Sequence, residues 1–319
     1  MSEKNPFSRA FWRSPRPPHA FVLGRDRLVY VGPQETAKRK AALGAAPALR
    51  VVSRSLPEEA FVDGPGDIPV AGPAVAGALQ RLLAEVGVRI AAACLVVPDG
   101  FAKLLALDVE DADAHPRETE DVVAWKFGRT FGEPAPPLRL SWLSAGPGAA
   151  GTRVLALAVP EPAAASWEAP FEKAGIRIGA LETGAFAVSA LAKAAPAGES
   201  FLVWADGGTA TALFFVNGAL RFARTRPVFG DADEALHEIR LAASYLGNGG
   251  GDDLAAPCTA GPEGSAVVEA LDAFRRGRGL AGPSPLALRA LVPGASVAPA
   301  ASSSDPAVLM GLGALAGDR

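Results

Sequence analysis

Short apolar runs separated by glycine- or proline-marked turns set the rhythm of this chain. Ala20 to Leu23 and Arg27 to Val31 predict two strands, with Gly24-Arg25-Asp26 turning between them. A polar stretch through Lys40 precedes a third strand, Leu49 to Arg54, and Phe61 to Gly64 with Pro65-Gly66 marks a further strand and turn. Val75, Leu79, Leu82, Leu83 and Val86 recur at helical spacing, with Gln80, Arg81 and Glu85 off that stripe. Pro73 to Val86 is therefore an amphipathic helix, stopped by Gly87. Ala91 to Val97 reads as a buried strand ended by Pro98-Asp99-Gly100, and Lys103 to Val109 is expected to pair with it. Glu118 to Phe131 predicts a helix with Trp125 as core anchor, broken at Pro134 to Pro137. Strands at Leu138 to Leu143 and Arg153 to Val159, a helix from Trp167 to Ala174, a strand at Ile176 to Ile178 and a small-residue helix from Gly184 to Ala194 follow.

A second unit opens near Ser200. Phe201 to Trp204 is a strand, Asp206-Gly207-Gly208-Thr209 a turn, and Ala210 to Val216 a strand. Asn217-Gly218 supplies a hairpin turn, from which Leu220 to Pro227 returns. A helix from Asp233 to Tyr245, a loop at Gly247 to Gly251, a strand from Leu254 to Thr259 and a helix from Ser265 to Phe274 complete it. Pro283 to Ser304 reads as irregular, and Pro306 to Ala316 as a closing helix of small residues. Both units begin with a strand, a glycine turn and two more strands before their helices. That duplication predicts an α/β fold of the actin/hexokinase type, with a cleft between two lobes.

Composition narrows the function classes. The 319 residues give room for one large or two medium domains, and 49% hydrophobic with 20% charged residues is a globular balance. A net charge of −3 offers no electrostatic basis for nucleic-acid binding. Cys94 and Cys258 are too few for a disulfide framework, which points to a reducing compartment. His19, His115 and His237 are scattered and form no metal-spaced set. No apolar run reaches the ~18 residues of a membrane span. Met1 to His19 is basic and proline-rich without the apolar centre of a signal peptide. A soluble cytoplasmic protein is expected. The tail, with Phe7, Phe11 and Trp12 among its cations, is expected to be disordered, contact with anionic lipid being the alternative.

Several passages, in order along nearly the whole chain, resemble the actin-like PilM proteins of type IV pilus assembly, relatives of FtsA. Phe61-Val62-Asp63-Gly64 followed by the Pro73–Val86 helix resembles the opening of that family, and Leu95-Val96-Val97-Pro98 its next strand. Glu118 to Phe127 is similar to the helix that ends at a proline-marked turn, and Lys173-Ala174-Gly175-Ile176 with Leu181-Glu182 to Ala187 to a later passage. Asn217 to Arg224, Gly230 to Tyr245 and Met310-Gly311-Leu312-Gly313-Ala314-Leu315 resemble its second half. The resemblance implies an actin-like ATPase fold of two RNase H-like lobes. It places a basic tail at 1–19, a first lobe at 20–195 with an inserted subdomain at about 90–157, a second lobe at 196–305, and a C-terminal helix at 306–319 packing on the first lobe. It further implies a cytoplasmic platform peripheral to the inner membrane. That platform receives the N-terminal peptide of a PilN-like membrane protein in a groove on the first lobe. Pilus motor ATPases and further copies of the chain are additional partners it suggests; nucleic acid is not among them.

An actin-fold ATPase grips Mg·ATP with two glycine-containing hairpins, an acidic residue in each and a basic side chain. By the resemblance, Gly24 matches the first hairpin's glycine, while Val22 stands at the aspartate position and Val29 at the lysine position. Asp206, Gly207, Gly208 and Thr209 match the second hairpin, one residue short, with Asp206 the candidate for Mg. Glu182 matches the carboxylate near the attacking water; its plainer reading is a helix N-terminal carboxylate. Gly261 matches the start of the adenosine turn, where Pro262 replaces the second glycine. The bland reading of Arg221, Arg224 and Arg226 is a solvated strand edge, against a contact for an acidic partner. The expectation is a degenerate site holding no nucleotide, a scaffold and not an enzyme. Its alternatives are an active actin-like ATPase or sugar-kinase relative, and a platform like GspL of type II secretion. GspL continues into a transmembrane segment, whereas this sequence stops at Arg319.

Overall fold

The computed structural model describes residues 16–33, 49–110, 112–131, 136–192, 198–206, 208–228, 232–244, 256–262, 264–286 and 305–316. The expected features at 1–15, through Lys40, at Gly207, at Gly247 to Gly251 and over 287–304 lie outside these residues.

In chain order the first half contains β1 (Ala20–Leu23), β2 (Arg27–Pro33), β3 (Leu49–Ser55), β4 (Phe61–Val62), β5 (Val70–Ala71), α1 (Pro73–Val86) and β6 (Ala92–Val97). It continues with β7 (Lys103–Val109), α2 (Pro116–Phe131), β8 (Leu138–Gly148), β9 (Gly151–Pro160), α3 (Glu161–Lys173), β10 (Arg177–Thr183) and α4 (Gly184–Ser189). The second half holds β11 (Glu199–Asp206), β12 (Thr209–Val216), β13 (Ala219–Pro227), α5 (Ala232–Ser244), β14 (Cys258–Gly261), α6 (Ala266–Gly277), β15 (Ser284–Pro285) and α7 (Pro306–Ala316).

Two five-stranded sheets repeat one topology. The first runs β3-β2-β1-β6-β10 and the second β13-β12-β11-β14-β15. In each, three strands form an antiparallel meander, and the fourth and fifth join parallel to the first. This is the duplicated arrangement of an actin-like fold. Between β6 and β10 the chain inserts α2 and a three-stranded antiparallel sheet, ordered β7-β9-β8.

β7 pairs with β9 and not, as the pattern suggested, with β6. A helical turn at Asp99–Phe101 lifts the chain off the first sheet before Lys103, so adjacency in sequence does not become adjacency in the sheet. Trp125 is the second difference. The buried stripe of α2 is Thr119, Val123 and Phe127, while Trp125 is 57% exposed with Lys126 and Arg129 over its ring at 5.2 and 5.6 Å. It is a surface residue, not a core anchor.

Trp167 has the anchoring role instead. On the outer face of the first sheet, Phe21, Leu23 and Leu28 pack against Val75, Leu79 and Leu82 of α1 and Trp167 and Phe171 of α3. The indole N–H of Trp167 donates to the Pro69 carbonyl at 2.8 Å, so its one polar atom is satisfied in the core. Each such buried side chain contributes ~1.5–3 kcal/mol.

The inner faces of the two large sheets share one apolar cluster. Val22, Val29, Cys94 and Val96 from the first and Leu202, Trp204, Leu213 and Ala223 from the second enclose α4 and α7. α7 fits because it is lined with small residues. A Cβ at Gly313 would overlap the Ala187 carbonyl of α4, and one at Gly311 would press on Val31 of β2.

Candidate functional site

The C-terminal ends of the parallel strands are where a fold of this kind offers ligands to a crevice. At the β1–β2 turn, the Gly24 N–H donates to the Arg27 carbonyl at 2.9 Å. Val22 and Val29 are direct cross-strand partners, both fully buried in the shared cluster. The basic groups of this turn are engaged elsewhere. Arg27 makes a two-pronged contact with Asp305, at 2.8 Å on each carboxylate oxygen, and Asp305 in turn caps α7 through the Ala307 N–H at 2.9 Å. Arg25 lies 5.3 Å over the Phe101 ring.

In the second hairpin Asp206 ends β11 opposite Thr209, whose hydroxyl donates to the Asp206 carbonyl at 2.8 Å. Gly208 has a left-handed φ of 80°, which a side chain would strain, and its carbonyl accepts from the Val228 N–H. Gly207 lies outside the described residues. The Gly100 turn of the first half reaches this hairpin: a Cβ there would be 3.0 Å from Cγ2 of Thr209. Gly261, in β14, pairs beside Trp204, and a Cβ on it would lie 3.2 Å from both that indole and Leu286. The cis bond to Pro262 follows.

Asp99 was read from sequence only as part of a turn, yet it joins the halves. Its Oδ1 accepts from the Ala185 N–H at 2.9 Å and its Oδ2 from the Thr211 hydroxyl of β12 at 2.6 Å. Thr211 in turn meets the Thr225 hydroxyl of β13 at 2.9 Å. Burial pushes the Asp99 carboxyl above the usual range, and the hydrogen bonds from Thr211, Ala185 and Thr183 offset only part of this.

Glu182 is not a helix N-terminal carboxylate: it lies on β10, and Thr183 precedes α4. Its buried carboxylate is gripped by Arg16, at 2.7 and 2.6 Å on its two oxygens, and Arg16 also donates to the Ala314 carbonyl of α7 at 3.1 Å. The last residues of the expected tail are thus part of the fold. The arginines of β13 are likewise engaged and do not form a solvated edge. Arg221 donates to the Ala145 carbonyl of β8 at 2.7 Å, and Arg224 and Arg226 flank Glu238. Burial raises the Glu238 carboxyl, and the two arginines outweigh it, leaving the group below its usual range. Among the described residues no group of histidine, cysteine and carboxylate ligands is placed to hold a metal ion. No helix among them is long and apolar enough to cross a membrane.

A groove of about 300 Å³ lies between the inserted sheet and the first large sheet. Its walls are Leu140, Leu157, Val159, Ile178, Leu181 and Phe186. Among the described residues β10 and β8 are both terminal strands of their sheets, so each borders the groove with backbone groups that no described strand covers. At the rim Arg139 bridges Glu161 and Glu168, each at 2.6 Å. No short sequence motif marks this groove; it arises where an inserted sheet meets an edge strand.

No family model matches the chain, and no curated protein matches its sequence. Solved structures do match its fold. A chain of the PilM–PilN type IV pilus biogenesis complex superposes with a TM-score of 0.64 at 15% identity, covering 96% of this chain and all of that one. The cytoplasmic domain of EpsL, an inner-membrane component of the Vibrio cholerae type II secretion system, covers 94% of this chain and 95% of its own, at 10% identity and a TM-score of 0.49. A Bacteroides thetaiotaomicron protein of actin-like ATPase fold reaches 0.49 at 7% identity, covering 93% and 96%. The duplicated actin-like topology described above is therefore shared, as a fold, with that chain of a PilM–PilN complex.

Proposed function

We propose that this chain is a cytoplasmic scaffold of a type IV pilus assembly platform, and that its groove receives the N-terminal cytoplasmic peptide of a PilN-like membrane protein. The groove itself carries the reading. Two uncovered strand edges face an apolar channel, which suits an extended segment that adds main-chain hydrogen bonds to an edge and buries alternate side chains. The similarity to a chain from a complex with PilN supports the choice of partner. Through that peptide the scaffold would lie against the inner membrane without entering it.

We also propose that the scaffold works without Mg·ATP. The positions that would supply an aspartate and a lysine are two buried valines, and Arg27 is held by Asp305. Trp204 and Leu286 crowd Gly261 on the adenosine side. These residues do not fit the nucleotide, so no hydrolytic step is assigned to them.

Calorimetric titration of the full chain with a synthetic peptide of the PilN-like N-terminus tests the groove. Saturable one-to-one binding is expected. Leu140→Arg and Ala180→Arg, on opposite walls, are each expected to weaken it by about tenfold or more, about 1.4 kcal/mol. Absence of binding by the wild-type chain, or full affinity in both variants, would overturn the reading.

A further inference from the structure

Arg16 and Pro17 precede β1, yet they close on two residues that line the groove, Glu182 and Gly179. A Cβ on Gly179 would lie 3.0 Å from Cγ of Pro17, at a point where β10 is irregular against β6 between Ile178 and Ala180. Three residues on, both Glu182 oxygens are held by the Arg16 guanidinium, which also takes the Ala314 carbonyl near the end of α7. One cation thus ties the groove's edge strand to the helix layer between the lobes. An edge strand lacks a neighbour on its far side, and an irregularity weakens its register further.

We propose that Arg16 is a positioning residue for the groove: through Glu182 it holds β10 as the receiving edge for an extended peptide. This rests on the peptide-groove reading above. The charged and titratable groups around Glu182 are Arg16 from the arm and the Cys94 thiol from β6, with Arg139 and Glu168 on the groove wall. The described residues of α4 and α7 bring no titratable side chain. Burial drives the Glu182 carboxyl upward and Arg16 draws it back. Without Arg16 the carboxyl must bind a proton or remain an uncompensated buried charge, which gives the arm's role a pH signature.

The experiment compares Arg16→Ala, Arg16→Lys and Arg16→Ala/Glu182→Gln with wild type in the full chain. It reads affinity for the synthetic PilN-like peptide over about pH 5 to 8, and amide-exchange protection of β10 without peptide. Arg16→Ala is expected to lose about tenfold in affinity at the high end and to recover as the pH falls. The double variant, with no buried charge, is expected to stay nearly flat across the range, and Arg16→Lys to fall between. β10 protection is expected to drop in Arg16→Ala at high pH and to return in the double variant. Wild-type affinity and protection in Arg16→Ala, or a loss independent of pH, would overturn the proposal. If the wild-type chain binds no peptide, the groove reading fails, while β10 protection still decides whether Arg16 holds the strand.

Discussion

Asp99 and Thr211 meet across 112 residues of sequence at the contact between the two halves. Because burial raises the Asp99 carboxyl, the folded chain retains a proton there in a pH window where the unfolded chain has already released it. Stability from this group is therefore greatest below the ordinary aspartate range and declines as the pH rises through the raised value. Asp99→Asn cannot titrate, and the Thr211 hydroxyl can turn toward Thr225 to accept from the new amide. The melting temperature of Asp99→Asn relative to wild type is expected to rise with pH between about 4 and 8; a constant offset would refute the assignment. Tryptophans give a second contrast at this scale. Trp167→Ala is expected to cost ~3–5 kcal/mol in denaturant unfolding, since it empties a core site. Trp125→Ala is expected to cost no more than ~1 kcal/mol, the scale of exposed cation–π contacts. Equal losses would reverse the reading of the α2 faces.

Among the elements, α7 depends most on side chains that are missing. Gly313 lets the helix back onto the Ala187 carbonyl, and Gly311 admits Val31. Alanine has the higher helical propensity, so Gly313→Ala would stabilise an isolated helix by about 1 kcal/mol. Here the added methyl has no room and is expected to destabilise the protein by ~1–3 kcal/mol in chemical denaturation. A stabilised variant would mean that α7 does not pack as described. The same element marks what sequence can and cannot disclose. The β1–β2 and β12–β13 hairpins, and α1 from Pro73 to Val86, were legible because their signals are local: a turn residue, a stripe, a stopping glycine. The expectation for Trp125 differs because a large aromatic among charges suggests a buried position, whereas the face actually buried is carried by Thr119, Val123 and Phe127. The Arg16–Glu182 clasp spans 166 residues, and the groove comes from two strand edges meeting. Neither leaves a mark on the periodicity of any one segment.

For the whole molecule, the question is whether the two lobes still act as jaws on a nucleotide. Contacts that join the first half, with its inserted sheet, to the second include Asp99 with Thr211, the Gly100 turn with Thr209, and Arg221 with the Ala145 carbonyl. Behind them a single apolar cluster spans both sheets and encloses α4 and α7, so separating the lobes would expose core surface. A ligand that binds the folded chain at 100 times its Kd adds about 2.7 kcal/mol, which raises the melting temperature by several degrees. Millimolar Mg·ATP is therefore expected to shift the melting curve by less than about 1 °C, while saturating PilN-like peptide shifts it by several degrees. A large shift with Mg·ATP would overturn the proposal that the scaffold works without nucleotide. Placing an aspartate at Val22 and a lysine at Val29 would meet an apolar surrounding, because both valines are fully buried against the shared cluster. A charge placed at either position is expected to cost several kcal/mol before any phosphate could repay it. The same two valines that pack into the cluster spanning both sheets thus place no charge at these positions.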